Sequence, residues 1–279
     1  MKTKKLAIAG TLLLAAVLLL SACGATKRDA SDVAGQSGSQ LGDPYALYTA
    51  AAGKLQASAG YSLHIAAKCD FSEWGDKGAK EVTTDIKANS PYAAGMEMSI
   101  AQVCSIGETG QDTTNEKNDF YSKDGTIYFT DEQDGSKYKS PLTIDQTRIV
   151  NCLISFSKDD VIDQSATKTA QGSEVKFVIK GDALQYLLRP SDNYGFQDAK
   201  NATLAAKINN AGQLSSYTIS SFAFSKPNTT SPEDIINEAW NIAVDIQYGH
   251  QNIVAPADLD SYDDGGSEYD IASVANPFS

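Results

Sequence analysis

The sequence predicts an α+β protein built on a curled antiparallel sheet, a half-barrel of about ten or eleven strands with a few helices covering its concave face. Two observations carry this. Two-residue alternation of apolar and polar side chains recurs from Tyr61 to Tyr248. Turn residues sit between successive alternating runs, at Asp124-Gly125, Asp134-Gly135 and Asn210-Ala211-Gly212, so strands adjacent in sequence pair as hairpins. A sheet with so many one-sided strands cannot stay flat and must curl.

The chain opens with Lys2, Lys4 and Lys5, followed by an uncharged run from Leu6 to Leu20 and then Ser21, Ala22 and Cys23. This is the layout of a cleaved export signal. The run is shorter than the roughly 20 residues a spanning helix needs. Leu20-Ser21-Ala22-Cys23 reads as a lipoprotein cleavage box, with Cys23 as the first mature residue and the acceptor of a diacylglyceryl thioether. Several acyl chains hold a protein on a membrane where a single chain would not. The expected organisation is a signal over 1–22, a lipidated flexible tether over 23–42, a folded domain over 43–262 and an acidic flexible tail over 263–279. The expected location is the extracytoplasmic face of the cell membrane.

Removal of the signal takes three lysines and lowers the formal charge from −12 to −15. Such an acidic chain repels phosphate backbones, which excludes nucleic acid as a partner. The denser acidic patch at 258–270 reads as a solubilising surface. The tether, rich in Gly, Ser, Ala and Gln, spans on the order of 25 Å as a random coil.

Asp43-Pro44 is an N-cap followed by a first-turn proline, and Leu47, Tyr48, Ala51, Ala52 and Leu55 form one helical stripe that ends near Gly60. Three strands follow. Tyr61, Leu63, Ile65, Ala67 and Cys69 share the inward parity of the first, Val82, Thr84, Ile86 and Ala88 that of the second, and Met96, Met98, Ile100 and Cys104 that of the third. Two hairpins lie over 119–140. The period then changes, and Ile149, Cys152, Leu153 and Phe156 predict a helix within 143–157. Strands resume at 161–167 and 174–180. Asp182 caps a short helix carrying Leu184, Leu187 and Leu188 and stopped by Pro190. A hairpin over 201–225, a helical turn at Ser231-Pro232-Glu233 and a strand alternating from Trp240 to Tyr248 complete the domain. Beyond Pro256 the acidic chain is expected to be loose.

Three cysteines remain besides Cys23, an odd number for an exported domain. Buried inert thiols are the first expectation for Cys69, Cys104 and Cys152, one disulfide the second, and a metal site the last.

At this point the chain resembles the LolA/LolB/LppX-like lipoproteins and is nearest to uncharacterised Gram-positive members of that superfamily. The residues carrying the likeness are the run from Phe120 to Tyr128, the Lys180-Gly181-Asp182-Ala183-Leu184 step, Gly212-Gln213-Leu214, and the final strand followed by Val254-Ala255-Pro256-Ala257-Asp258-Leu259. The resemblance implies a half-barrel around an apolar cavity, and some members carry lipids or acyl chains. Met96, Met98 and Ile100 are natural wall residues, because methionine adapts to varied shapes. The alternative is a non-enzymatic envelope scaffold that acts through its surface.

Catalytic and metal patterns are weak. His64 and His250 have no second ligand near them in sequence. Ser155-Phe156-Ser157-Lys158 and Ser165-Ala166-Thr167-Lys168 fit Ser-x-x-Lys, but the companion motifs of penicillin-recognising enzymes are missing. Asp260, Asp264 and Gly265 sit at EF-hand offsets, yet Tyr262 stands at a ligand position and Ile271 replaces the bidentate glutamate. The expectation is a protein that is not an enzyme and needs no cofactor, with the membrane and an apolar ligand as partners.

Overall fold

The structure is a computed structural model that describes residues 41–73, 76–91, 95–108, 110, 112–142, 155–184, 197–227 and 234–265. The expected signal, the lipidation residue Cys23, most of the tether, Cys152, residues 143–154 of the helix expected within 143–157, Leu187, Leu188, the Ser231-Pro232-Glu233 turn and residues 266–279 of the expected tail all lie outside the described residues.

The first element is the helix α1 (Pro44–Gln56), which starts as the sequence predicts. Asp43 Oδ1 accepts a hydrogen bond from the Tyr45 amide at 3.2 Å, and Pro44 occupies the first turn, where an amide would lack a partner. Lys158 binds Asp43 Oδ2 and holds that carboxyl below its usual range. The helix buries Tyr48, Ala51 and Leu55 and packs on one half of the sheet.

Twelve strands form one sheet: β1 (Gly60–Glu73), β2 (Asp76–Asn89), β3 (Glu97–Glu108), β4 (Thr114–Lys123), β5 (Thr126–Asp131), β6 (Lys137–Pro141), β7 (Val161–Thr169), β8 (Gly172–Ile179), β9 (Ala202–Asn209), β10 (Leu214–Pro227), β11 (Ile235–Tyr248) and β12 (Asp263–Asp264). Their order is β12-β6-β5-β4-β3-β2-β1-β11-β10-β9-β8-β7. The sheet therefore consists of two meanders, β1–β6 and β7–β11, joined along β1 and β11. Every pairing is antiparallel except β12 with β6. The sheet curls without closing.

Hairpin chemistry sets the register. Asp124 and Gly125 both take positive φ, 52° and 77°, which is the primed turn that matches strand twist. Asn209 Oδ1 accepts from the amides of Ala211 and Gln213 at 3.0 Å each and shapes the β9–β10 turn. Alternation fails within β10, where the register shifts between Leu214 and Ser216 and again between Ile219 and Phe222. Ser221, at φ 61°, is the extra residue that puts both Ile219 and Phe222 on the inner face.

Three expectations change. The strand count is twelve, because β12 adds a short parallel edge. Among the described residues the helices are one α-helix and three short 3-10 turns, Lys158–Asp160, Gly181–Leu184 and Leu259–Ser261. The expected helix at Asp182 is one of these turns over its described part. The chain beyond Pro256 is not loose as far as Gly265. Lys137 pairs with Asp258, the Tyr262 hydroxyl meets Thr130 Oγ1 at 2.7 Å, and Asp263–Asp264 pair with Tyr138 and Lys139. No helix among the described residues is long and apolar enough to cross a membrane.

Candidate functional site

The two faces of the sheet differ in chemistry. Two register rows define the inner face of the first meander. One runs Tyr61, Ala88, Met98, Ser122, Ile127, Ser140, and the next runs Leu63, Ile86, Ile100, Phe120, Phe129, Tyr138. The expected wall residues Met96, Met98 and Ile100 are buried core residues, at 6%, 0% and 2% exposure. A third row continues through Ile65, Thr84 and Gln102.

Among the described residues, three hydroxyls within this wall have no hydrogen-bond partner: Thr84 Oγ1, Ser122 Oγ and Ser140 Oγ, all on buried residues. A buried polar atom left unpaired costs about 1–3 kcal/mol, and native interiors keep few of them. The second meander also carries buried side-chain polar atoms, Gln164 Oε1 and Tyr248 Oη among them, and its inner face holds a cluster of rings. There Tyr48, Phe156 and Phe177 form a ring cluster with centroids 5.4–5.6 Å apart, and Tyr45 donates to the Phe156 carbonyl at 2.9 Å. Alternation located Thr84 on the inward parity but gave no sign that its hydroxyl lacks a partner.

The inner face near the far ends of β10 and β11 carries a buried ion pair. Lys226 binds Glu238, with side chains 8% and 11% exposed, and Trp240 Nε1 donates to the other carboxylate oxygen at 2.8 Å. Cys69 lies opposite Trp240. Cys69 and Cys104 are both free and buried, as the first expectation had it. Burial, then the charge of Glu238, pushes the Cys69 thiol up to about 12.

The outer face carries a cleft of about 720 Å³ beneath the segment after β11. That segment is tied at one end by Asn89, which exchanges two hydrogen bonds with Gln251 at 2.8 and 2.9 Å. At the other end it is tied by Lys137–Asp258 and Thr130–Tyr262. Under it, one register row brings together Asp245, His64, Asp85, Ala101, Asp119 and Thr130. His64 Nδ1 meets Asp85 Oδ1 at 2.8 Å, but both side chains are more than half exposed, so the pair is screened and weak. Burial, followed by a contact with Glu132, raises the Asp119 carboxyl to about 6. Burial, followed by its hydrogen bond to Glu97, raises the Tyr121 phenol to about 12, which makes it a poor nucleophile. The cleft brings Asp85, Asp119 and Asp245 together with His64, Lys87 and the apolar Val254 and Pro256.

His64 points outward as its parity predicts, and His250 is exposed in a loop. The Ser-x-x-Lys residues Ser155, Ser165 and Lys168 are exposed. Ser157 caps the 3-10 turn through Asp160, and Lys158 is occupied by Asp43. Tyr262, at the EF-hand ligand offset, is buried at 5%, and Asp264 belongs to β12. Among the described residues, no group of three or more His, Cys, Asp or Glu side chains is placed to hold a metal ion.

No family model matches the chain, and no curated protein sequence matches it significantly. Among solved structures it is similar to a DUF1329 family protein from Desulfovibrio piger. Their identity is 11%, with 77% of this chain and 96% of that one covered and a TM-score of 0.24. It is also similar to a putative outer membrane lipoprotein-sorting protein domain from Vibrio parahaemolyticus, at 6% identity, 77% and 97% coverage and a TM-score of 0.21. These likenesses are too distant to carry an argument about function, and neither supports the expected nearness to Gram-positive proteins.

Proposed function

We propose that this chain is an extracytoplasmic lipoprotein, held on the membrane through Cys23, that binds an apolar ligand against the inner face of its sheet and performs no catalysis. The observation that carries the binding reading is the set of orphaned hydroxyls, Thr84, Ser122 and Ser140, set in the apolar wall of the first meander. Protein interiors keep few such atoms, and three of them gather on this one wall. Because the wall is buried, binding exchanges one set of inner-face contacts for another. The apparent affinity is then lowered by the fraction of molecules in the competent state.

Two measurements test this reading. Cells fed an azide-bearing palmitate should label the wild-type chain and retain it in the membrane fraction, whereas C23S should take no label. Equal labelling of both would end the anchoring proposal. Native mass spectrometry of the full chain carrying C23S should show discrete bound masses that solvent extraction removes. A clean ligand-free mass from several hosts would end the binding proposal.

A second reading, a scaffold acting through its surface, is favoured by the outer-face cleft and its row of Asp85, Asp119 and Asp245. Under that reading, charge reversal at Asp85 and Asp119 would abolish crosslinks to an envelope partner, and an unchanged crosslinking pattern would count against it.

A further inference from the structure

We infer that the outer-face cleft is a binding site for a small primary amine with an apolar body, whose ammonium sits between Asp85 and Asp119. This site lies on the face opposite the inner wall and is independent of any ligand there. Its cavity comes from side-chain size. On β3, Ser99 and Ala101 are small and face outward, with Lys87 and Asp85 beside them on β2 and Tyr121 and Asp119 on β4. A trough therefore opens over β3. The chain from Val254 to Pro256 roofs it, and Tyr262 stands on the β5 side, bonded to Thr130. The resulting cleft, about 720 Å³, is the size of a small-molecule site.

The walls select the class. Asp85 and Asp119 are both in register with Ala101, one on each side of it. Two strand spacings, roughly 9.5 Å, separate their backbones, so both carboxylates can reach one ammonium at N–O distances of about 2.8 Å. His64 occupies one oxygen of Asp85, and a carboxylate has a second to offer. Lys117, the lysine nearest Asp119 at 3.9 Å, is bound to Glu132, so the charge of Asp119 is only partly answered. With Asp245, the cleft sets three carboxylates against one lysine, Lys87, which disfavours an anion. A metal ion needs several oxygens at about 2.1–2.6 Å, and among the described residues no group of three or more His, Cys, Asp or Glu is placed to supply them. The apolar body is read from the roof. Val254 is 77% exposed at the cleft and, with Pro256, gains from being covered. Tyr121 adds a ring on the same face of β4 as Asp119, which favours a cation. Because the roofing segment is tied at both ends, the cleft admits a small molecule rather than a protein surface.

The test is isothermal titration calorimetry on the full chain carrying C23S. The probes are tryptamine and hexylamine, and the controls are the alcohol tryptophol and the acid indole-3-acetate. Both amines should bind. Tryptophol should bind about tenfold more weakly than tryptamine, the effect of losing one charge-assisted hydrogen bond, and indole-3-acetate should not bind. The added pair D85N/D119N should weaken both amines by about tenfold or more and leave tryptophol unchanged. The single variants D85N and D119N, each with a smaller loss, serve if the double variant does not fold. A101L, which fills the trough, should abolish binding of the amines and the alcohol alike. Tryptophol or indole-3-acetate matching tryptamine would overturn the ammonium assignment. Unchanged amine affinity in D85N/D119N or in A101L, or no heat from either amine up to about 5 mM, would overturn the site.

Discussion

Replacing Lys226 by methionine should destabilise the chain by about 3 kcal/mol, the low end of the range for stranding one member of a buried pair. Lys226 and Glu238 are nearly closed off from solvent, and Phe222 and Phe224 pack beside them with ring centroids 5.2 Å apart. K226M keeps the apolar stem volume but leaves the Glu238 carboxylate with Trp240 Nε1 as its remaining described donor. That surviving bond, at 2.8 Å, is why the low end applies. In K226M/E238Q the charge is gone and the amide oxygen can still accept from Trp240, so stability should return to within about 1 kcal/mol of wild type. Urea unfolding followed by far-ultraviolet circular dichroism measures both, with equal slopes for all three proteins. A cost below about 1 kcal/mol for K226M would show that the pair is solvated and the reasoning wrong. So would a double variant as unstable as the single one.

Three further outcomes follow. Thr84→Val, an isosteric change that removes an orphaned hydroxyl, should stabilise the ligand-free chain by about 1–2 kcal/mol in the same assay; destabilisation would show that the hydroxyl is paired. Asp119 should titrate near 6 in carbon-13 spectra of its carboxyl, against 3.8 for the free group, and a midpoint near 4 would refute its burial. Since its folded value is raised, its protonated form favours folding: stability present below about 4 should decline as pH rises through about 6, and D119N should flatten that decline. Burial raises the thiols of both Cys69 and Cys104, so in a chain carrying C23S and C152S Ellman's reagent should leave them unmodified at pH 8 until denaturant is added, and prompt labelling of that native chain would contradict the inner-face placement.

Local signals in the sequence were faithful where the physics is local. Asp43-Pro44 marks α1 because a cap and a missing amide act within one turn. Alternation marks β1, β2, β3 and β11 because each has one buried face. β10 was harder, since its two register shifts move Tyr217 and Phe222 out of simple parity. The pairing of β1 with β11 has no local signal, because the two strands are far apart in the chain. The outer cleft was hidden for the same reason. His64 looked solitary because Asp85 and Asp245 reach it through cross-strand register, and Tyr262 reaches Thr130 only after the chain folds back over the sheet. Outward parity at Asp85, Asp119 and Asp245 was the one available hint. Cys23 remains a reading of the sequence alone.

The junction of the two meanders governs the order of assembly during synthesis. The middle of the sheet is closed by the last long strand to emerge, so β1 offers a long open edge until Ile235–Tyr248 has been made. An open edge of that length invites pairing with other chains, and pairing over such a separation is slow to form. The chain is thereby kept from completing its core until nearly all of it has been made, so a truncation before Ile235 leaves both meanders without their shared seam.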